Sequence, residues 1–279
     1  MKEELVETLR AGPGEAARRE MAVGASSPVP SRWTLRPIRA AVEWLTEYTL
    51  SGVWRVLRSC GAGLHTACAR LFSPDPDYGR KGRRLHRGLR EAARHPDSVV
   101  ALFLDECGDQ RWPEVAPTWG LEAAVAPRAG NNQQWCTIGA LNALTGHVHY
   151  LDGYVVGRQQ VIKFYSQLHR AYPQEDLIYV IQDNWNIHTH PDVLTAVAAY
   201  PRIQPVWLPT YAPWLNPIEK LWRGLRQDIL KMHRWVEDWS QVKQRVHDFL
   251  DQFARGSSVL LRYVGLQGKG KLATVLNSS

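Results

Sequence analysis

The second part of the chain alternates between short apolar runs and segments with helical spacing. Three runs are mostly apolar, at residues 99–104, 177–181 and 203–208. Such runs are typical of strands that are buried on both faces. Residues 134–142 and 147–151 instead alternate between apolar and polar positions, which predicts two further strands joined by a Gly-containing turn.

The intervening segments have apolar residues at helical spacing. Residues 157–170 carry apolar side chains on one helical face, and further helices are predicted to begin at Pro191, at Pro217 and at about Trp239. The predicted order is three strands, helix, strand, helix, strand, helix. This order predicts an α/β domain.

Two shorter helices are predicted upstream. The first begins near Trp33 and the second covers residues 51–60, with a turn near residues 48–50. The pattern fits a helix-turn-helix in which Arg55 and Arg58 face DNA. It also fits a plain helical hairpin with two solvated arginines, which is the commoner arrangement.

Residues 80–94 form a strongly basic segment, with seven Lys and Arg residues against the single acid Glu91. A solvated helix face could have this composition, but the one-sided charge favours contact with the DNA backbone. The candidate contact residues are Lys81, Arg83, Arg84 and Arg87. The formal charge of +7 on the whole chain also favours a polyanionic partner.

Composition divides the chain into four parts. Residues 1–30 have few large apolar side chains and are predicted to be a flexible tail. Residues 31–95 form the helix-turn-helix-like segment and basic linker, and residues 96–255 form the α/β domain. Residues 256–279 are predicted to be a C-terminal tail, within which the Gly- and Lys-rich QGKGK is predicted to be mobile.

The cysteines and the chain start bear on the cellular location. Cys60, Cys68, Cys107 and Cys136 have neither the paired spacing of a zinc site nor the density of a secreted disulfide scaffold. The charged N-terminal sequence lacks the apolar stretch of a signal peptide, and no later apolar run is long enough to span a bilayer. We therefore expect reduced thiols and a cytoplasmic, nucleoid-associated protein.

Three acidic residues are candidates for one shared site. Asp105 and Asp183 each follow an apolar strand, where catalytic groups gather in open α/β sheets, and Glu219 lies in the first turn of a predicted helix. Each alone has a structural explanation, since aspartates terminate strands and Asn216 with Glu219 resembles a capping box. Two carboxylates about 4 Å apart repel by roughly 4 kcal/mol at an effective dielectric near 20, so three converging acids predict a bound cation. Oxygen ligands without cysteine favour Mg²⁺ or Mn²⁺, and two such ions support phosphodiester chemistry.

Three sequence blocks occur in order: LFLDECG with the following APTWG, then VIQDNWNIH, then LPTYAPWLNPIEKLW. They resemble the signature blocks of the DDE catalytic domain in IS630-type transposases of the Tc1/mariner superfamily, over residues 98 to about 250. The resemblance implies an RNase H-like fold, a mixed sheet flanked by helices, with Asp105, Asp183 and Glu219 as the catalytic, metal-binding acids. It also implies cleavage of transposon ends and strand transfer into target DNA, with two Mg²⁺ or Mn²⁺ ions.

Three polar residues match the same blocks. Asn184 and His188 are predicted to orient Asp183 or to contact the DNA backbone, although a packed, hydrogen-bonded polar pair would also explain them. Asn216 is predicted to begin the helix that aims Glu219.

Several aromatic positions in the blocks are interpreted differently. Trp119, with Gly120, is assigned a structural role, and Trp222 is assigned to the core. Trp185 and Trp214 occupy positions where more polar residues are expected.

Residues 33–81 more faintly resemble the second helix-turn-helix and linker of the same transposases, which favours the DNA-binding interpretation of Arg55 and Arg58. Family members usually carry a first helix-turn-helix upstream, and residues 1–30 show no such pattern, so a truncated copy is expected. The expected partners are double-stranded DNA, as terminal inverted repeats and as target, and a second copy of the chain on that DNA. Two alternatives stay open: a relic that binds DNA without cutting it, and a cellular RNase H with the same metal chemistry.

Overall fold

The computed structural model describes residues 2–13, 32–65 and 72–278. The chain divides into two compact units, Met1–Arg70 and Leu71–Ser279. Among the described residues, no helix combines the length and the apolar character that crossing a membrane requires.

The first unit is a small helical unit. It contains α1 (Lys2–Ala11), α2 (Leu35–Ala41) and α3 (Leu50–Ser59), with a 3-10 turn at Glu43–Leu45. The Thr49 hydroxyl oxygen begins α3 by accepting a hydrogen bond from the backbone N–H group three residues later, at 3.2 Å. Both helices predicted after Trp33 are present.

Helix α1 corrects the prediction of a flexible tail over residues 1–30. Its Leu5 is fully buried in a cluster with Ile38, Val42 and Val53. Burial of one leucine side chain contributes about 2 kcal/mol, which helps to hold a short helix on the others. Residues 14–31 of the predicted tail lie outside the described residues.

The two candidate arginines of α3 lie on its exposed face. Arg55 and Arg58 point away from Val53 and Leu57, which are buried in the small core. The predicted orientation is therefore present, and contact of these arginines with DNA stays a prediction.

Three of the four cysteines fall in the described residues. Cys60, Cys107 and Cys136 are free thiols, as predicted. Cys68 lies outside the described residues.

The second unit is built on a five-stranded mixed sheet. Its strands are β1 (Val99–Gln110), β2 (Gln134–Asn142), β3 (Val148–Gly153), β4 (Leu177–Gln182) and β5 (Ile203–Trp207). Their spatial order is β3-β2-β1-β4-β5, in which β4 pairs with β1 and β5 in parallel, and β2 pairs with β1 and β3 antiparallel. The predicted strands are present, and the α/β fold is confirmed.

Helices cover both faces of this sheet. In chain order they are α4 (Tyr78–Arg94), α5 (Arg158–Ala171), α6 (Pro191–Ala198), α7 (Ile218–Leu225), α8 (Trp239–Asp251), α9 (Ser258–Val264) and α10 (Lys271–Asn277). Helices α5 and α6 pack on one face and the others on the opposite face. Alternate residues of β1 pack into the hydrophobic cores on the two faces of the sheet. Leu102 and Leu104 face α5, and Ala101 and Phe103 face the opposite side.

The basic segment is α4, and it belongs to the second unit. Its Leu85 and Leu89 are fully buried, and Gly88 lies against the Tyr179 ring, where an added Cβ would be 3.2 Å away. The boundary between the units therefore falls inside the predicted 31–95 part. The predicted linker is a core helix with a charged outer face.

The predicted C-terminal tail, residues 256–279, is also corrected. It forms α9 and α10, whose apolar residues are buried against the sheet-covering helices: Leu260, Leu261, Val264, Leu272 and Leu276. These residues recur at helical spacing, so each short helix buries one face.

His149 on β3 makes the folded state sensitive to acid. Its Nε2 atom lies 2.9 Å from the Tyr172 hydroxyl oxygen, and its ring lies against the His147 ring with centroids 4.0 Å apart. Burial, together with the nearby His147, lowers the pKa of His149 from 6.5 to about 4. Between these values the unfolded chain binds more protons than the folded chain, so this residue makes stability rise with pH across that window.

We expect His149→Gln to lose less stability than the wild type when the pH falls from about 7.5 to about 5. Because the residue is only partly buried, the expected difference in the free energy of unfolding is about 1–2 kcal/mol. Urea unfolding at both pH values measures it, with His95→Gln, an exposed position, as the control. An equal acid loss in His149→Gln and wild type would contradict this prediction.

Candidate active site

Asp105, on β1, and Asp183, directly after the neighbouring parallel strand β4, lie at the same edge of the sheet. Strand β1 pairs with β4 as far as Phe103 and Ile181, and Asp183 directly follows β4. Strand β1 then continues along β2, where Asp105 pairs with Gly139. The prediction that Asp105 ends its strand is wrong, because the antiparallel partner extends β1 beyond the parallel one. The two aspartates are nevertheless neighbours.

Glu219 reaches this edge from the first turn of α7. The helix has no side-chain cap, so the alternative of a capping box between Asn216 and Glu219 is excluded. Asn216 is buried and instead donates an Nδ2–H hydrogen bond to the Leu104 carbonyl oxygen at 3.3 Å. This bond joins the start of α7 to β1 one residue before Asp105, and so it positions Glu219 beside the aspartates.

A glycine on β2 lets α7 approach the sheet closely. Gly139, the β2 partner of Asp105, lies under the buried Trp222 ring, and an added Cβ would be 2.6 Å from Trp222 Cη2. A larger residue at this position would have to displace Trp222 or α7. The assignment of Trp222 to the core is confirmed, whereas its contact with Gly139 has no sequence signal.

The three acids line one cleft. One wall is the loop after β4, which contributes Asn184 and Trp185, and the other is residues 208–213 after β5. The Asp183 side chain is 55% exposed at the mouth. Asp105 and Glu219 are more deeply placed, and both are partly buried.

The cleft disfavours the charged forms of Asp105 and Glu219. Burial raises the pKa of Asp105 to about 8, and the negative charges of Glu219, Glu106 and Asp183 add to this rise. Burial also raises the pKa of Glu219, and Arg226 partly offsets the effect. A cation bound among these oxygens would relieve the repulsion.

The donor set fits a hard divalent cation. All three side chains supply carboxylate oxygens, which suit Mg²⁺ and Mn²⁺. Within residues 2–13, 32–65 and 72–278, no group of three or more His, Cys, Asp and Glu side chains has the spacing needed to hold a metal ion in this side-chain arrangement. An open set of carboxylates leaves coordination positions for water and for substrate phosphate oxygens, as Mg²⁺ sites commonly do.

His188 and Glu106 lie next to Asp183. His188 is 1% exposed, and its Nε2 atom is 3.2 Å from Glu106 Oε1 and 3.7 Å from Asp183 Oδ1. Among the described residues neither His188 Nε2 nor Glu106 Oε1 has a hydrogen-bond partner, so the orienting role of His188 toward Asp183 stays a prediction. Sequence reasoning missed Glu106, although it directly follows Asp105, because its neighbour across the fold could not be identified from the sequence.

Asn184 braces the two walls of the cleft. Its Nδ2 atom donates to the Leu208 carbonyl oxygen at 2.8 Å and to the Thr210 hydroxyl at 3.1 Å. The Asp183 carboxylate is instead bonded by the Trp185 N–H group, at 2.9 Å from Oδ1. Asn184 therefore joins the loop after β4 to the segment after β5. Its side chain makes no hydrogen bond to Asp183 in the described structure.

Asp75, which sequence reasoning also missed, fastens the wall formed by residues 208–213. Its Oδ2 atom accepts hydrogen bonds from Lys81 Nζ and from the Thr210 N–H group, each at 2.8 Å. The Lys81 hydrogen bond, with that of Thr210, holds the pKa of Asp75 well below its usual range. Lys81, a predicted DNA contact, is thus paired with Asp75 and lies 3.5 Å from Asn184 Oδ1.

We expect Asp75→Asn to loosen this wall, because a neutral amide loses both charge-assisted hydrogen bonds. Amide hydrogen exchange at Thr210 should become faster, and the melting temperature should fall. Asp77→Asn, which removes an exposed pair with Arg80, is the matched control. Thr210 exchange that is equal in the two variants would contradict the role of Asp75.

The remaining basic candidates lie on the outer face of α4. Arg83, Arg84 and Arg87 are exposed, and Arg84 donates to the Pro205 carbonyl oxygen at 3.2 Å. Their exposure is compatible with backbone contacts to DNA, which stay a prediction.

Trp119 does not pack as expected. It lies in the irregular stretch between β1 and β2 and is fully exposed, as is Leu121. The assignment of Trp119 to a packing role is therefore wrong.

The sequence and the fold both match known proteins. The family of DDE superfamily endonucleases matches residues 78–243. The insertion element IS630 uncharacterized 39 kDa protein of Shigella sonnei is 27% identical over 228 residues, which cover 79% of this chain and 64% of that protein. This chain thus spans less than two thirds of that relative's length.

Two solved structures share the fold. The Mos1 mariner paired end complex with Mn has a TM-score of 0.56 at 14% identity, and the match covers 91% of this chain and 80% of that one. The corresponding complex with Mg has a TM-score of 0.55 at 16% identity, with 94% and 84% covered. The RNase H-like fold is confirmed, and so is the resemblance to a protein of the insertion element IS630. Since the family match covers more than half of the sequence and includes Asp105, Asp183 and Glu219, this chain belongs to the DDE superfamily endonucleases.

Proposed function

We propose that this chain is a DNA transposase that cuts the ends of a mobile element and joins them to target DNA. The observation that carries the proposal is a single cleft lined by Asp105, Asp183 and Glu219 in a DDE endonuclease. The Shigella sonnei relative is an insertion element protein, and one Mos1 structure is a paired-end complex with a left transposon end. We infer that the three acids are catalytic and that the substrates are double-stranded element ends and target DNA.

The three carboxylates are proposed to hold two divalent cations, Mg²⁺ or Mn²⁺. The Mos1 complexes include one with Mn and one with Mg. When bound, such cations supply activation of the attacking oxygen and charge stabilisation of the leaving oxygen. The protein's part is to hold its oxygens in place: the Trp185 N–H group fixes Asp183, and Asn216 fixes the start of the helix that carries Glu219.

The outer face of α4 is proposed to bind the DNA backbone beside the cleft. Arg83, Arg84 and Arg87 are exposed there, and Lys81 on the same helix approaches Asn184 in the cleft wall. Charges placed in this way would neutralise phosphates next to the cut bond.

The upstream helices are proposed to recognise the element ends through Arg55 and Arg58. A homodimer on DNA is proposed because two paired ends need two active sites. The protein is proposed to act on chromosomal DNA in the cytoplasm.

Cleavage of a duplex that carries the inverted repeats flanking the gene tests the proposal. With Mg²⁺ the wild type should cut at the repeat ends, and Asp183→Asn should bind the same DNA without cutting it. A salt-sensitive complex with no product would instead identify a DNA-binding relic. Cleavage of an RNA–DNA hybrid but not of duplex DNA would identify a cellular RNase H.

A further inference from the structure

Two large aromatic side chains are exposed in the cleft that contains the three acids. Trp185, in the loop after β4, is 40% exposed, and Tyr211, after β5, is 76% exposed. Binding a cation or a phosphate group requires polar groups, so carboxylate chemistry uses neither ring. Exposed aromatic faces at such a site favour a flat, apolar ligand group.

The Trp185 ring is held in a defined position. Its backbone N–H group donates to Asp183 Oδ1 at 2.9 Å, which ties this residue to one of the acids. One side of the ring packs edge-to-face on buried His188, with centroids 5.9 Å apart and an interplanar angle of 73°. The rest of the ring is open to the cleft, so a ligand could stack on it without first ordering the side chain.

Tyr211 is held in a strained conformation. Its φ of +53° lies in the left-handed region, which residues other than glycine rarely adopt. The preceding Thr210 is fastened at both ends, because its N–H group donates to Asp75 at 2.8 Å and its carbonyl oxygen accepts from the Ser73 hydroxyl at 2.5 Å. Strain that surrounding contacts maintain is characteristic of ligand sites.

Trp214 provides a third exposed ring next to the cleft. It directly follows Pro213, which lines the cleft, and it is 44% exposed. Its Nε1–H group donates to the Tyr78 hydroxyl oxygen at 3.2 Å, so the ring is fixed to the start of α4. Trp185 and Trp214 are the two positions where the sequence departs from the polar residues expected, and of the two only Trp185 lines the cleft.

We propose that Trp185 and Tyr211 form a stacking site for unpaired bases of the DNA strand next to the phosphodiester that the acids cut. This inference rests on the proposed function and names the form of the substrate: a duplex whose bases are opened at the cleavage point. Nucleotides on either side of the cut bond must lie within a few ångströms of the carboxylates. A base that is paired within the duplex has both faces covered by its neighbours, so it can meet a protein ring only after it has left the stack.

Stacking of this kind is independent of base identity, because every base has an aromatic face. The site would therefore add affinity for the opened strand without adding sequence preference. The choice of element end would then depend on residues elsewhere in the chain.

Cleavage of end DNA that lacks one base tests the inference. Single abasic nucleotides are placed in turn at positions around the cut, and wild type, Trp185→Leu and Tyr211→Leu are compared. On intact DNA each variant should cut about 10-fold to 100-fold more slowly. Trp185→Phe and Tyr211→Phe, which keep a ring, should retain most of the activity, and Tyr263→Leu, which removes an exposed ring on α9, should be unaffected.

The decisive result is that the leucine substitution and the removal of one base affect the cleavage rate non-additively. At one abasic position the wild type should slow to the rate of the leucine variant, while the variant shows no further loss. Leucine variants that cut intact DNA at the wild-type rate would overturn the inference. The inference would also be overturned if the leucine variants cut more slowly than the wild type at every abasic position. The rings would then support the structure of the cleft or contact a protein partner. Wild-type protein that does not cut at all would refute the proposed function instead.

Discussion

Replacing Asp105 with asparagine will abolish DNA cleavage and will also raise the melting temperature of the metal-free protein. The cleavage rate is expected to fall by at least about 1000-fold, since cation stabilisation of a phosphoryl transition state contributes several kcal/mol. At pH 7 stability should increase, because the unfolded chain ionises Asp105 freely, whereas burial and the charges of Glu219, Glu106 and Asp183 oppose its carboxylate in the folded chain. An amide of the same shape carries no charge and avoids this repulsion.

Thermal unfolding with Mg²⁺ distinguishes the loss of metal binding in Asp105→Asn from its gain in stability. Mg²⁺ should raise the melting temperature of the wild type, because a ligand that binds the folded state stabilises it, and it should raise that of Asp105→Asn much less. Thermal unfolding with and without Mg²⁺ measures both, alongside the cleavage assay. A variant that is less stable than wild type without metal, or that still cuts, would show that Asp105 is a structural residue.

Gly139→Ala is expected to be the most damaging single-methyl substitution near the site. The new Cβ would lie 2.6 Å from the Trp222 ring, so this buried ring, or α7 with it, must move away from β2. Overpacking of a core costs about 1–3 kcal/mol. A shift of about 1 Å in Glu219 would lower cleavage about 100-fold, since metal and substrate oxygens need fixed geometry.

Two further variants test the steric explanation. Gly108→Ala on β1 is the matched control, because an added Cβ there meets no atom within 4 Å. Trp222→Leu introduced together with Gly139→Ala should restore part of the stability, because the smaller side chain leaves space for the methyl group. Urea unfolding and cleavage rates measure both effects. Gly139→Ala that behaves like Gly108→Ala would contradict the proposed packing.

The sheet could be predicted because several of its strands are mostly apolar, as strands that are buried on both faces usually are. Apolar runs such as residues 177–181 leave few alternatives, and the acids next to them follow from the same pattern. The extent of β1 could not be predicted in this way. Residues 105–110 are mixed in polarity, and they form a strand because β2 supplies hydrogen-bond partners along that length.

The helices that were predicted as tails show a second limit. Leu5 in α1 and Leu272 in α10 each have another leucine four residues later, but the polar or glycine-rich residues around them make the local composition favour disorder. Each helix forms because a distant surface covers that side chain. Such long-range burial has no local signal.

The residues around the acids were only partly predictable. Asp105, Asp183 and Glu219 could be found from the apolar runs that precede the two aspartates, a helix start and the motif blocks. Asp75 and Glu106 could not, because their importance lies in partners far along the chain, Thr210 and His188.

The central claim is that the three acids bind divalent cations on DNA. The most direct measurement counts Mn²⁺ ions bound per chain on uncut end DNA, by electron paramagnetic resonance. Wild type should bind about two ions, as two-metal phosphodiester chemistry requires, and Asp105→Asn and Glu219→Gln should bind fewer and release them more easily. Equal Mn²⁺ binding by wild type and both variants would contradict the claim.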